Sequence, residues 1–404
     1  MKPRTIVLLL AFLALAAKLY CAATTCGTND AVTFLSFGHR IDRSGLIVMY
    51  RETIIFNHTP LVGWFTAAIF DLAQNDLDSY AFNFFLRAPA IFADLFCLLA
   101  LMWTKEKTGK PSWCVLGLLA VSPVSFMISG FHANVDSVMV LGLVLAGLAC
   151  VFNRPVLSGL CFALSCNIKI VPLFLAPAFF FYWLQHRKAL RFALPAAGAT
   201  LLGWSYPLIV IPQIFFKNVV AYSSVWGLWG FGYLLRMCGA PDFQRVVFTD
   251  KTWPETVATR ILQVFIIAGV LLLAWKRRKT EGFGIFKTLA LSWAVFFVFS
   301  PGFGGQYLIW LAPFFLVADE LWYAALTLSS SVALFIFYTA GCDGQIPWDR
   351  AFHVQEAQRV WGPWMFAIWL ILAAYLVRAA RIRSLANAPE EAVVPAVAEG
   401  VSVT

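Results

Sequence analysis

About twelve apolar stretches, separated by short clusters of arginine and lysine, constrain this chain more than any other feature of its sequence. Each has the length of a bilayer span or half-span, against the roughly 20 residues a helix needs to cross. Only 13% of the residues are charged, while 61% are hydrophobic. A soluble domain carries about a quarter charged residues. So few charges cannot cover a water-facing surface, and much of this surface must face lipid. The sequence reads as an all-α polytopic membrane protein of about 12 transmembrane helices or half-helices, with interfacial helices in its first external loop.

The formal net charge of +9 would suit a nucleic-acid partner only if it gathered on one face. Instead the basic residues fall between apolar runs, as in Lys105–Lys107, Arg187–Lys188 with Arg191, and Lys276–Lys279. The positive-inside rule produces that distribution, and no nucleic-acid partner is expected.

The first apolar run, 4–23, ends in Cys21-Ala22-Ala23, which resembles a cleavage site. Lys18 interrupts it, however, and the spans that follow need an anchor. An uncleaved first helix with a cytoplasmic N-terminus is the favoured reading. Residues 24–59 carry eight charged or histidine side chains and form a polar external loop. The apolar stretch 60–74 is short, about 22 Å as a helix, and is expected to lie at the interface. Further runs cover about 83–103, 112–130, 133–152, 155–167, 169–185, 190–213, 257–275, 284–300, 306–318, 321–340 and 362–380. With 60–74 left out of the count, the basic clusters share the cytoplasmic side, and the external loops are 24–59, 216–256 and 341–361. Residues 1–384 then make a single transmembrane domain and 385–404 a disordered cytoplasmic tail. The compact chain, with no retention signal at its end, points to a bacterial inner membrane rather than an endoplasmic reticulum.

Nine cysteines show no CxxC and no Cys/His cluster. Cys21, Cys26, Cys238 and Cys342 fall near external loops, where a disulfide is chemically reasonable but sequence cannot pair them.

The residues that need explaining are polar groups inside apolar runs. Arg87 and Asp94 are seven apart, on one side of a helix, and suit structural pairing with neighbouring helices. His132 and Asp136 are four apart, on one helix face, and suit helix packing with Asn134 or a polar substrate cavity. A divalent metal accepts such ligands, but two do not define a site, and no metal or other cofactor is expected. Lys169 lies between two half-spans and must reach water, a carboxylate or a phosphate. Gln306 and Tyr307 follow the glycine-rich Ser300–Gly305, either an ordinary turn or irregular backbone lining a cavity. Asp30, just past the first helix, is either a helix cap or a base facing the external side.

Five stretches together resemble the GT-C superfamily of membrane glycosyltransferases, which use polyprenyl- or dolichyl-phosphate sugars. The polar first loop with Asp30 is similar to that family's acidic site. Tyr50-Arg51 through His58-Thr59-Pro60-Leu61 is similar to its Y…PPL stretch, with Thr59 in place of the first proline. Arg87 through Ala93-Asp94 resembles its R…AD motif, and Leu164 through Asn167-Ile168-Lys169 to Phe180 resembles its L-N-x-K…P…F segment. Ser300-Pro301 through Gln306-Tyr307-Leu308-Ile309-Trp310 is similar to its SP…QYLLW stretch. Glucosyltransferases that extend the N-glycan precursor and bacterial polyprenyl-phosphate-mannose enzymes share several of these. Where some members carry a histidine near Gly304–Gln306, this chain has none.

The resemblance implies transfer of a hexose, of mannose or glucose type, from a polyprenyl-phosphate donor to a hydroxyl of a lipid-linked or glycan acceptor on the external face. One carboxylate base suffices for inversion, and Asp30 is the candidate. Donor contacts are expected from Lys169, Arg236, Arg245, Gln306 and Tyr307, and acceptor or cavity contacts from His58, His132 and Asp136. Trp226, Trp229 and Tyr233 suit either sugar stacking or interfacial anchoring. The rival class is a lipid flippase or secondary transporter, with the intramembrane charges as coupling residues. The long polar first loop and the absence of a repeat count against it.

Overall fold

Each apolar run becomes a helix or a series of helical turns, because a backbone in hydrocarbon must satisfy its own N–H and C=O groups. The computed structural model describes residues 1–74, 80–222, 225–247, 250–342 and 358–386. The predicted loop 341–361 and the predicted tail 385–404 lie mostly outside the described residues. The helices are α1 (Pro3–Thr24), α2 (Asn29–Ser44), α3 (Leu46–Glu52), α4 (Pro60–Leu72) and α5 (Tyr80–Thr108). A helical run α6 (Trp113–His132) is followed by α7 (Asp136–Val151), α8 (Pro155–Ile168), α9 (Val171–Gln185) and α10 (Ala189–Val210). Then come α11 (Gly230–Met237), α12 (Trp253–Lys276), α13 (Gly284–Phe299), α14 (Gly305–Ala318), α15 (Glu320–Gly341) and α16 (Gln358–Ala386). Seven of these are long and apolar enough to cross a membrane, and shorter apolar helices pack among them. The protein is an all-α polytopic membrane protein.

The bundle sorts its charges by end. Arg4 at the start of α1 pairs with Glu106 at 3.0 Å. Ser112 bonds Glu320 at 2.7 Å, and Asp319 beside it faces Lys287 and Arg378 at 3.6 and 3.9 Å. Arg277 donates to Thr288 one residue beyond Lys287, at 3.0 Å. These contacts gather the basic clusters at one end. Asp30 lies past the other end of α1, roughly 33 Å away for 22 residues.

Lys18, Asp94 and Arg87, charges inside the spans, are matched by neighbours. Lys18 of α1 donates to Asp94 of α5 at 2.8 Å, and Ser129 donates to the same carboxylate at 2.6 Å. Arg87, wholly buried on α5, donates to the carbonyls of Cys21 and Ala22 at 3.4 and 3.3 Å and to Thr25 Oγ1 at 2.9 Å. It also donates to the Gly130 carbonyl at 3.4 Å. Its guanidinium caps the free carbonyls where α1 ends, and it lies against Gly27, whose backbone has φ +79° and where a Cβ would strike it.

The first loop folds as α2 on α4. Gly38 permits their approach, since a Cβ there would come within 2.6 Å of the Thr66 carbonyl. Thr59 opens α4, and its buried hydroxyl donates to the carbonyl of Asn167 at the end of α8. That contact ties the loop to the segment carrying Lys169.

Candidate active site

Three interruptions of helix meet where the first loop docks. The first is the start of α2. Thr28 caps it, its hydroxyl accepting from the Asp30 N–H at 3.3 Å, so Asp30 stands in the first turn. The second lies between α6 and α7. The last turns of α6, Phe126–His132, are π-helical, and Ala133 then adopts φ +69°. A left-handed backbone is strained for alanine, and here it swings His132 out of one helix before Asn134 caps the next. The Asn134 Oδ1 accepts from the Asp136 N–H at 2.7 Å. The third is the break between α8 and α9. Lys169 is extended (φ −148°, ψ 148°), and Pro172 prevents the helix from continuing unbroken.

These breaks enclose a cavity of about 350 Å³ lined by Asp30, His58, His132, Lys169, Gln306 and Tyr307 among others. Asp30 Oδ2 receives the His132 Nε2 at 3.0 Å and the Gln306 Nε2 at 3.4 Å. Its side chain remains 29% exposed, whereas that of His132 is 6% exposed. Lys169 donates to Asp136 at 2.6 Å and lies 4.5 Å from the Tyr307 ring centroid. Asp136, entirely buried, sits behind the lysine rather than in the cavity wall. His58 is packed among Phe34, Phe37 and Phe56, with ring centroids 4.9 to 6.1 Å away.

Burial alone would raise the Asp30 pKa, but the facing His132, then Lys169 and His58, outweigh it and hold the carboxyl below its usual value. Burial, and after it the Lys169 charge, brings His58 down to about 3, against the opposing pull of Asp30. At neutral pH the cavity therefore holds an ionised carboxylate beside a neutral His58 imidazole. This is a base with no proton to lose.

A second cavity, a groove of about 540 Å³, shares Ile170, Val171, Tyr222 and Tyr307 with the first. It follows α12 from Arg260 and Gln263 to Leu271, about 18 Å for twelve residues. Leu173, Phe174, Pro177 and Phe296 make its walls apolar. Arg260 bonds Gln263 at 3.0 Å and has no carboxylate partner among the described residues.

The structure does not bring all the predicted donor residues here. Arg245 pairs with Glu255 at 3.0 Å, and Arg236 donates to the carbonyls of Gly227 and Gln244 at 2.6 and 3.1 Å. Neither lines either cavity, because the loop folds its arginines onto its own backbone and α12. Trp226 and Trp229 are buried against Phe243 and against Phe303 and Phe337, which leaves no face for a sugar. The loop contributes Tyr222, Val225 and Leu228 instead. Its glycines explain how it docks. Gly227 (φ +72°) donates to the Pro301 carbonyl at 3.0 Å, and Phe231 donates to Ser300 at 2.7 Å.

Sequence reasoning missed three contributors. Tyr338, in an apolar span, reads as an interfacial aromatic, yet its hydroxyl lies 3.0 Å from His132 Nδ1. Thr28 reads as a loop residue, and nothing in the sequence links it to His132, 104 positions away. Arg260 carried a signal, a cation inside a span, that was open to reading. Among the described residues no three His, Cys, Asp or Glu side chains converge as a metal site.

Residues 56–215 match the model of the ALG6, ALG8 glycosyltransferase family. The matched region includes Thr59, Arg87, Asp94, His132, Asp136 and Lys169 and spans less than half of the chain. No curated protein matches the chain.

Proposed function

We propose that this chain is a membrane glycosyltransferase of the GT-C type that draws on a lipid-linked sugar donor, a reading the family match over residues 56–215 supports, and that it transfers a hexose with inversion, using Asp30 as its base. The acceptor hydroxyl oxygen attacks the anomeric carbon, and the bond from that carbon to the phosphate oxygen breaks with its electron pair. The acceptor's proton passes to Asp30. A phosphate monoester is a weak base and leaves without a general acid, so one carboxylate is enough. Glucose is favoured over mannose by the family matched, and the acceptor is a hydroxyl of a lipid-linked glycan.

The observation that carries this reading is the continuity of two unlike cavities. The polar one offers the carboxylate, and the apolar groove takes the isoprenoid tail. The donor phosphate then lies at their junction, near Tyr222 and Tyr307, which line both. Lys169 meets it from the cavity side and Arg260 from the groove side, where cations offset the charge that develops on the leaving oxygen. Lys169 has already given one N–H to Asp136, and an ammonium has two more to offer. The basic clusters at the opposite end of the bundle support an external location for the reaction.

The test is direct. Purified protein in detergent, given a polyprenyl-phosphate hexose and an oligosaccharide-lipid acceptor, should form a glycoside of inverted configuration without nucleotide or gradient. Lipid translocation in vesicles with no covalent product across a range of donors would overturn the proposal.

A further inference from the structure

The Asp30 carboxylate is one end of a buried hydrogen-bonded chain. His132 Nε2 lies 3.0 Å from Asp30 Oδ2, and His132 Nδ1 lies 3.0 Å from the Tyr338 hydroxyl and 3.3 Å from Thr28 Oγ1. Proton counting orients this chain. A carboxylate oxygen at that distance requires a proton on Nε2, so in the neutral ring Nδ1 carries a lone pair. The single Thr28 hydroxyl proton is used on the His132 carbonyl, at 2.9 Å. Tyr338 is therefore the group that donates to Nδ1. Its ring is completely buried, held edge-on to Phe131 at 5.5 Å.

We propose that His132 is a positioning residue for the base, locked by Tyr338 in the tautomer that presents Nε2–H to Asp30. The Nε2–H and the Gln306 amide both engage Oδ2, which turns Oδ1 toward the acceptor. This rests on the assignment of Asp30 as base. It also gives His132 a role distinct from contact with the acceptor. The titratable or charged groups around this carboxylate are His132, His58 and Lys169, with Tyr222 and Tyr307 in the wall and Tyr338 behind His132.

Removing the tyrosine hydroxyl frees the ring to present a bare Nε2 to the carboxylate, or to take up a proton and become imidazolium. The first takes a hydrogen bond from the carboxylate and raises its basicity, the second lowers it, and both spoil its alignment. Tyr338→Phe should lower kcat about 5- to 30-fold, the range for one buried hydrogen bond. It should leave the donor KM unchanged and displace the acid limb of the kcat profile from its wild-type position. His132→Gln, which keeps an N–H toward Asp30, should retain more activity than His132→Ala.

A double-mutant cycle decides the matter. If His132 acts through Asp30, His132→Ala should cost turnover in the wild-type background and almost nothing further in Asp30→Asn. Equal losses in both backgrounds would overturn the inference, as would wild-type kcat and an unmoved pH profile in Tyr338→Phe. Near-normal turnover of Asp30→Asn itself would instead sink the assignment of the base. Should His132→Ala fail to fold, the Gln and Tyr338→Phe variants carry the same comparison.

Discussion

The Lys18–Asp94 pair and the Asp30–His132 pair are each a carboxylate held by a nitrogen base across α1 or its extension, yet they open onto different spaces. Around Asp94 the cavity is about 40 Å³, room for a water or two. Lys18, Ser125 and Ser129 all donate to the same carboxylate oxygen. Around Asp30 the cavity is about 350 Å³ and adjoins the apolar groove. Chemically similar groups thus serve packing in one place and a reaction in the other. What separates them is access and how many of the lone pairs the protein itself consumes.

The sharpest way to break this comparison is to neutralise each acid in turn. Asp30→Asn should lower single-turnover rate about 10²–10⁴-fold, the range for a positioned general base, with only a small fall in melting temperature. Asp94→Asn should do the opposite, since breaking a buried pair costs about 3–5 kcal/mol. It should depress the melting temperature while the folded fraction retains its rate. Lys18→Met combined with Asp94→Leu should recover much of the lost stability. A dead but stable Asp94→Asn would show that the inner pair takes part in chemistry.

The donor side gives a smaller effect. Lys169→Met alone strips the buried Asp136 of its ion-pair partner, so the informative variant pairs it with Asp136→Asn. That double variant should fold and raise the donor KM about 10- to 100-fold, the worth of a charge-assisted contact. An unchanged KM would remove Lys169 from the phosphate site. Arg260→Gln should raise the donor KM less, about 3- to 10-fold, because the arginine is more exposed and partly screened. The difference between variant and wild type should shrink as salt is added.

The smallest expected effect is of pH. Asp30 titrates below its usual value and His58 near 3, so neither should give a limb in kcat between pH 5 and 8. Stability behaves differently. With a folded pKa depressed below that of the unfolded chain, His58 costs stability as pH falls below about 6.5, because only the unfolded state takes up the proton. Asp30 contributes stability at neutral pH that is lost only as pH falls through its own lowered pKa. Melting temperature should therefore decline from pH 7 to 5 while turnover per folded molecule does not. His58→Phe should flatten that decline.

The sequence by itself determined the class of fold and the membrane-spanning elements. Apolar runs broken by Lys105–Lys110, Arg187–Arg191 and Lys276–Lys279 have no other stable solution, because burial of apolar length and satisfaction of backbone polar groups are local demands. It also offered Asp30, His58, His132, Lys169 and Gln306 as candidate site residues, and the structure brings these five to one cavity. Pairing was decided only by tertiary structure. The sequence suited Arg87 and Asp94 to neighbouring helices without naming which, and both proved to meet α1. It set His132 beside Asp136, yet the π-turn and Ala133 point His132 at Asp30, and Asp136 takes Lys169 from the break between α8 and α9. It offered Arg236 and Arg245 to the donor, and the loop spent them on Gly227 and Glu255. Side-chain partners separated by a hundred or more positions depend on how helices cross and where they break. A single sequence records that an ionisable group must be satisfied, but only the packed bundle chooses by what.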